Sequence, residues 1–63
     1  MKRVLLIKNL NTEEHVNMIK EKLDQTRVVY EVNLLKKCVV VYGDYDMANV
    51  ARKELNELGF IIL

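Results

Sequence analysis

The sequence predicts an α+β domain whose elements follow the order βαββαβ. Three observations indicate this order: a β-rich run near each end of the chain, two stretches with helical spacing of apolar residues, and two adjacent β-rich runs between them. The 63 residues suffice for one compact domain, so we assign residues 1–63 to a single domain. With 51% apolar and 30% charged residues and no proline, we expect the whole chain to fold.

The first strand and the first helix come from the N-terminal third of the chain. Residues 4–7 are an apolar run that ends in an asparagine-rich turn at residues 9–11. After the turn, apolar residues recur at spacings of three and four, as on one helix face: Val16, Ile19 and Leu23. Asn11 or Thr12 is the expected N-cap of this helix.

The remaining elements are a hairpin, a second helix and a final strand. Two β-rich runs, residues 28–34 and 38–42, are separated by three residues and form an antiparallel hairpin. A helical apolar pattern then covers residues 47–58 and stops at Gly59, the expected C′ glycine. Residues 60–63 supply the fourth strand. Right-handed crossovers place both helices on one face of a four-stranded antiparallel sheet, which is the ferredoxin-like sandwich.

Strand alternation assigns side chains to the two faces of this sheet. The predicted core-facing side chains are Leu5, Ile7, Tyr30, Val32, Leu34, Val39 and Val41. The predicted outward-facing side chains are Val4, Leu6, Val29, Cys38 and Val40. Because apolar residues are also common on ordinary surfaces, this outward face is either plain surface or an interface with a protein partner or a second copy in a weak homodimer.

A motif at the first loop and helix resembles that of a known family. Residues 9–23 are Asn-Leu-Asn-Thr-Glu-Glu-His-Val-Asn-Met-Ile-Lys-Glu-Lys-Leu. This stretch resembles the signature Gly-Met-x-Cys-x-x-Cys-Val-x-x-Ile-x-x-x-Leu of the heavy-metal-associated domain, found in copper chaperones and metal-pumping P-type ATPases. The resemblance continues through residues 32–34 and 58–60, where the family has Val-Asp-Leu and Ala-Gly-Tyr. It implies the ferredoxin-like fold and a metallochaperone-like role.

The chain departs from this family at the metal ligands. Thr12 and His15 stand at the positions of the two cysteines. Cu(I) prefers thiolates, a threonine hydroxyl stays protonated near neutral pH, and a single imidazole does not fix a metal. We therefore expect a degenerate metal site and no cofactor, apart from weak binding of a divalent ion by His15 with Glu13 or Glu14. Otherwise these two carboxylates only complement the positive end of the helix dipole.

Two hypotheses follow for the function. In the first, the domain is a protein-interaction module in, or derived from, a metal-trafficking system, and it keeps the docking surface that the resemblance implies, around Leu10, Glu13, Glu14, His15 and Phe60. In the second, it carries a divalent metal through His15 and a neighbouring carboxylate. Both hypotheses place the protein in the cytoplasm, because Met1 to Arg3 precede only four apolar residues, too few for a signal peptide.

Other classes of function find less support. A net charge of +1 is too small for non-specific nucleic-acid binding. Residues 5–10 resemble the first-strand motif of RNA-recognition modules, but the third strand lacks the aromatic pair that stacks on bases. With one histidine, one cysteine and no serine, the chain offers no nucleophile with a base and an orienting group, so we do not expect an enzyme. Small-molecule sensors of the ACT type have a glycine-rich first loop, which is missing here. We expect no membrane insertion.

Overall fold

A computed structural model describes all 63 residues, and its elements follow the order β1, α1, β2, β3, α2. Their bounds are Lys2–Leu6 for β1, Glu13–Leu23 for α1, Val29–Asn33 for β2, Cys38–Tyr42 for β3 and Tyr45–Glu57 for α2. The strands form one antiparallel sheet in the order β1-β3-β2. The fold is therefore α+β, as predicted. Neither helix has the length and apolar character needed to cross a membrane.

The prediction of four strands is wrong, because the sheet has three. Residues 60–63 lie beside the end of β1, where a fourth strand would lie, but they form only an isolated bridge between Ile7 and Ile62. Two backbone hydrogen bonds flank this bridge, from Lys8 N–H to Ile61 O at 2.8 Å and from Leu63 N–H to Leu6 O at 2.9 Å. The ladder goes no further because the amide of Ile61 donates to the Asn9 side chain, at 2.8 Å, and not to a backbone carbonyl of β1 or its extension.

Helix α1 begins at the cap that its sequence favours. Of the two candidates, Thr12 is the N-cap: its backbone is extended, and its hydroxyl oxygen accepts the His15 N–H at 3.1 Å. Acidic residues occupy the first turn and Lys20 and Lys22 the last, which matches the sign of the helix dipole at both ends. Lys22 also pairs with Glu54 at 3.3 Å, which ties α1 to α2.

Helix α2 begins two residues earlier than the apolar pattern predicts. Its N-cap is Asp44, whose Oδ1 accepts the Met47 N–H at 3.0 Å. The helix ends at Glu57, and Gly59 follows with φ of +94°, a left-handed conformation that a glycine adopts without strain. The predicted C′ glycine is thus confirmed.

The core lies between the two helices and one face of the sheet. It is a cluster of twelve buried side chains: Leu5, Ile7, Leu10, Val16, Ile19, Leu23, Val28, Val39, Val41, Ala51, Leu55 and Phe60. The predicted inward face is confirmed, since four of its residues belong to this cluster and Tyr30, Val32 and Leu34 pack against it. Burial of this apolar surface is the main source of the folding free energy.

On the opposite face, exposure follows the prediction except at one position. Val4, Leu6 and Val29 are exposed and Val40 is half-buried. Cys38, however, is only 5% exposed, although it shares their face. It lies on the central strand, opposite Leu6 of β1 on one side and Asn33 of β2 on the other. Both neighbouring side chains are larger than that of Cys38 and cover it.

A tyrosine joins the end of α1 to β2. The Tyr30 hydroxyl donates to Asp24 Oδ1 at 2.6 Å and lies 3.2 Å from the Lys20 carbonyl oxygen. Burial, followed by the hydrogen bond to Asp24 and the charge of that carboxylate, raises the pKa of Tyr30 to about 12. The protonated hydroxyl is therefore the form that the folded protein favours.

This pKa shift predicts a loss of stability in alkali. The folded-state pKa lies above the unfolded value near 10, so Tyr30 contributes its full stabilisation below pH 10 and loses it as the pH rises towards 12. We expect the free energy of unfolding, measured by urea denaturation, to fall less steeply with pH across this window in Tyr30→Phe than in the native protein. Tyr45→Phe is the matched control, because the Tyr45 hydroxyl makes no hydrogen bond. Equal slopes in all three proteins would contradict the prediction.

Candidate functional site

The candidate site is built from the first loop, which we define as residues 7–12, and the first turn of α1. The loop leaves the end of β1 and delivers Thr12 to the helix N-terminus. His15 follows in the first turn and is half-buried. Its ring meets the ring of Phe60 edge-on, with centroids 5.4 Å apart and planes at 84°. The site therefore lies where the first loop, α1 and residues 60–63 come together.

Thr12 and His15 form a reciprocal helix cap. The Thr12 hydroxyl oxygen accepts the backbone N–H of His15 at 3.1 Å, and the His15 Nδ1 accepts the backbone N–H of Asn11 at 3.2 Å. This arrangement resembles a capping box, in which the N-cap residue and the third helical residue each satisfy a backbone donor near the other. Here an imidazole replaces the usual glutamate and reaches one residue further back. Both positions thus have a structural role in starting α1.

The cap favours one tautomer of the neutral imidazole. A neutral histidine whose Nδ1 accepts a hydrogen bond carries its proton on Nε2. In this tautomer neither ring nitrogen of His15 has a free lone pair, because the lone pair of Nδ1 accepts the Asn11 N–H and Nε2 carries the proton. A metal ion would have to displace one of these protons or bonds.

The other side chains of the chain that could ligate a metal do not converge on His15. Glu13 and Glu14 are exposed in the first turn, next to His15 in the chain. Consecutive helical residues point in directions about 100° apart, so neither shares the His15 face. Cys38 is buried on β3. Nowhere in the chain do three histidine, cysteine, aspartate or glutamate side chains come close enough to hold a metal ion together.

The predicted docking residues fall into two groups. Glu13 and Glu14 are exposed, as a docking role requires. Leu10 and Phe60 are 0% and 5% exposed and belong to the core cluster. They support the first loop from below, so the accessible part of the surface consists of the acidic first turn, Thr12 and the outer edge of His15.

Asn9 joins the first loop to residues 59–61, a role that its predicted place in a turn does not indicate. Its side-chain amide donates to the Gly59 carbonyl oxygen at 3.1 Å, and its Oδ1 accepts the Ile61 N–H at 2.8 Å. An asparagine side chain offers one donor and one acceptor group, as a peptide unit does, so it can replace a strand neighbour. The one available indication was an asparagine directly after a strand, where such side chains often bond to backbone.

Comparison with known proteins identifies a similar fold. No protein-family model and no curated protein matches this chain. Among solved structures, a chain described as CsoZ metallochaperone superposes with a TM-score of 0.83 and 21% sequence identity, over 100% of this chain and 96% of that chain. The domain therefore has a metallochaperone-like fold.

Proposed function

We propose that this chain is a metallochaperone-like domain with a degenerate metal site, and that it acts as a protein-interaction module in, or derived from, a metal-trafficking system. The observation that carries the proposal is the reciprocal cap between Thr12 and His15. By the sequence resemblance, it occupies the two positions at which the heavy-metal-associated family has cysteines, and the chain superposes over its full length with a metallochaperone.

The cap opposes metal binding at His15 in either coordination mode. A metal on Nδ1 removes the acceptor of the Asn11 N–H. A metal on Nε2 leaves the proton of the neutral ring on Nδ1, where it faces the same N–H as a second donor. Each mode costs a hydrogen bond worth about 0.5–1.5 kcal/mol, and Thr12 adds no thiolate in return.

The accessible surface around the cap suits contact with another protein. The exposed Glu13 and Glu14 carry negative charge. Leu10 and Phe60 are buried, and their packing in the core keeps the first loop in place. Charged groups at the rim of an interface steer association and select partners of opposite charge. A partner with a basic patch fits this surface best.

The second candidate is a carrier of a divalent metal, with His15 and the carboxylate of Glu13 or Glu14 as ligands. It is favoured by the exposure of both carboxylates, which directly precede the only histidine in the sequence. It requires opening of the cap and further ligands from a partner or from water, because zinc takes four ligands.

An NMR titration distinguishes the two candidates. We expect one equivalent of Zn(II), Ni(II), Co(II) or Cu(I) to leave the ring signals of His15 and the amide signal of Asn11 unchanged, because coordination at either nitrogen disrupts the hydrogen bond between them. The His15→Gln variant is the control, since shifts that persist in it come from groups other than the His15 imidazole. Stoichiometric changes at His15 and Asn11 together, absent in His15→Gln, would contradict the interaction module and favour the metal carrier.

A further inference from the structure

The sheet face opposite the two helices is uncovered and mostly apolar. We call it the open face and define it by the side chains of Val4, Leu6, Val29, Cys38, Val40 and Tyr42, which the strand register places together. Val4, Leu6 and Val29 are 52%, 49% and 63% exposed. Ile61 and Leu63 are also exposed and flank the inward-packed Ile62, so they extend this face beyond β1.

The size of the open face suits a weak interface. Three five-residue strands and the shorter segment 60–63, spaced about 4.8 Å apart with about 3.3 Å per residue, cover at most roughly 15 Å by 17 Å. Contiguous apolar patches on monomers rarely exceed a few hundred Å², so this face is about as large as the apolar patches that monomers usually expose to solvent. It is nevertheless smaller than the roughly 800 Å² per partner of a stable complex. A partner on this face would bind reversibly.

Charged residues of opposite sign lie on the two sides of the open face. Lys2 lies on β1 and Glu31 on β2, with β3 between them, so the two strands are about 10 Å apart. The Tyr42 hydroxyl donates to Glu31 Oε1 at 2.7 Å. Because Tyr42 is the register partner of Lys2, this bond draws the carboxylate towards the end of the sheet where Lys2 lies. Both ion pairs within the chain belong to Lys22, so neither Lys2 nor Glu31 forms an ion pair within the chain.

This charge distribution is self-complementary about one twofold axis. A twofold axis that runs parallel to the strands above β3 places β1 of one copy over β2 of the other. It leaves the position of each residue along the strand direction unchanged. Lys2 of one copy then lies opposite the end of the sheet at which Tyr42 holds the Glu31 carboxylate of the other copy. Because of the twofold symmetry, this contact occurs twice. Facing sheets are about 10 Å apart, a distance that extended lysine and glutamate side chains can span together.

The alternative symmetric pairings bring like charges together. An axis perpendicular to the strands stacks β2 on β2, and Glu31, the central residue of β2, then lies opposite its own copy. Edge-to-edge pairing of two β2 strands about their centre does the same. Like charges directly opposite one another are destabilising.

We propose that the open face binds a second copy of this chain in a weak symmetric dimer, with the twofold axis above β3 and Lys2 of each copy paired with Glu31 of the other. The interface buries Val4, Leu6, Val29 and Val40 of both copies between the sheets, in the manner of a β-sandwich. It lies on the side of the sheet away from the helices, so the dimer is independent of the first loop.

A charge-swap experiment tests this proposal. Sedimentation equilibrium of the native chain should show a monomer–dimer equilibrium with a dissociation constant in the micromolar range or weaker. Lys2→Glu and Glu31→Lys should each weaken self-association at least about tenfold, because each places like charges at both contacts. An equimolar mixture of the two variants should associate again, since both contacts then join opposite charges.

The control and the contrary outcomes are specific to the interface. Lys53→Glu makes the same charge change at an exposed position of α2 and should leave association unchanged. Thermal melts check that each variant is folded. Three results would overturn the proposal: a native chain that stays monomeric up to about 1 mM, single variants that associate like the native chain, or a mixture that associates no better than its components.

Discussion

The double substitution Thr12→Cys with His15→Cys is expected to raise the affinity for Cu(I) by at least about three orders of magnitude, which corresponds to about 4 kcal/mol. The two positions lie at the N-cap and the third residue of α1, so two thiols placed there lie beside each other at the positive end of the helix. The helix N-terminus lowers thiol pKa values and favours the thiolates that Cu(I) prefers. Competition with a spectroscopic Cu(I) chelator measures the change.

The same substitution removes the cap, which gives a second measurement. Loss of the Thr12 side chain as a cap costs about 0.5–2 kcal/mol, so the metal-free double variant should melt at a lower temperature than the native protein and regain stability with Cu(I). Lys53→Cys with Asn56→Cys is the matched control, with the same spacing on exposed positions near the other end of a helix. A native protein that retained stoichiometric Cu(I) against a strong thiol competitor would refute this interpretation of the site.

Core substitutions are expected to have the next largest effect. Ile19 on α1 and Leu55 on α2 are both 0% exposed and belong to the same cluster. Ile19→Ala or Leu55→Ala should each lower the free energy of unfolding by about 2–5 kcal/mol, a large share of the stability of so small a domain. His15→Ala should cost only about 1 kcal/mol, since it removes one exposed hydrogen bond and an edge contact with Phe60.

Urea denaturation with and without a metal chelator measures these costs. A chelator should not change the unfolding midpoint of the native chain, because the core and the helix caps hold the fold together. Asn17→Ala on the exposed face of α1 is the control and should change stability by no more than about 0.5 kcal/mol. Similar losses for Ile19→Ala, Leu55→Ala and His15→Ala, or unfolding at lower urea with chelator, would disagree with this order of effects.

Local patterns predicted the parts of the fold that depend on local interactions. The spacing of Val16, Ile19 and Leu23 identified α1, Thr12 was one of its two expected caps, and Gly59 marked the end of α2. Strand alternation identified the inner sheet face because periodicity of two is a property of each strand alone. The one exception, Cys38, is covered by neighbours on both adjacent strands, which alternation does not describe.

The incorrect or missing predictions depend on contacts between distant parts of the chain. Residues 60–63 have the composition of a strand, yet Asn9 takes the Ile61 amide and stops the ladder after one bridge. Likewise, residue types identified His15 as a candidate ligand, but its bond to the Asn11 amide depends on the path of the loop. Hydrogen-bond partners of polar side chains are set by tertiary geometry, which a periodic pattern does not contain.

The Asn9 side chain also determines how the first loop can move. Its two hydrogen bonds join the loop to residues on either side of Phe60, so the loop cannot lift unless this segment lifts too. Lifting the two together exposes Phe60, which costs about 1.5–3 kcal/mol, and separating them breaks two hydrogen bonds at about 1 kcal/mol each. Either movement costs about 1.5 kcal/mol or more, so the closed loop is the predominant state. Any protein that docks on the acidic first turn therefore meets a rigid, preorganised surface and loses little conformational entropy of this domain on binding.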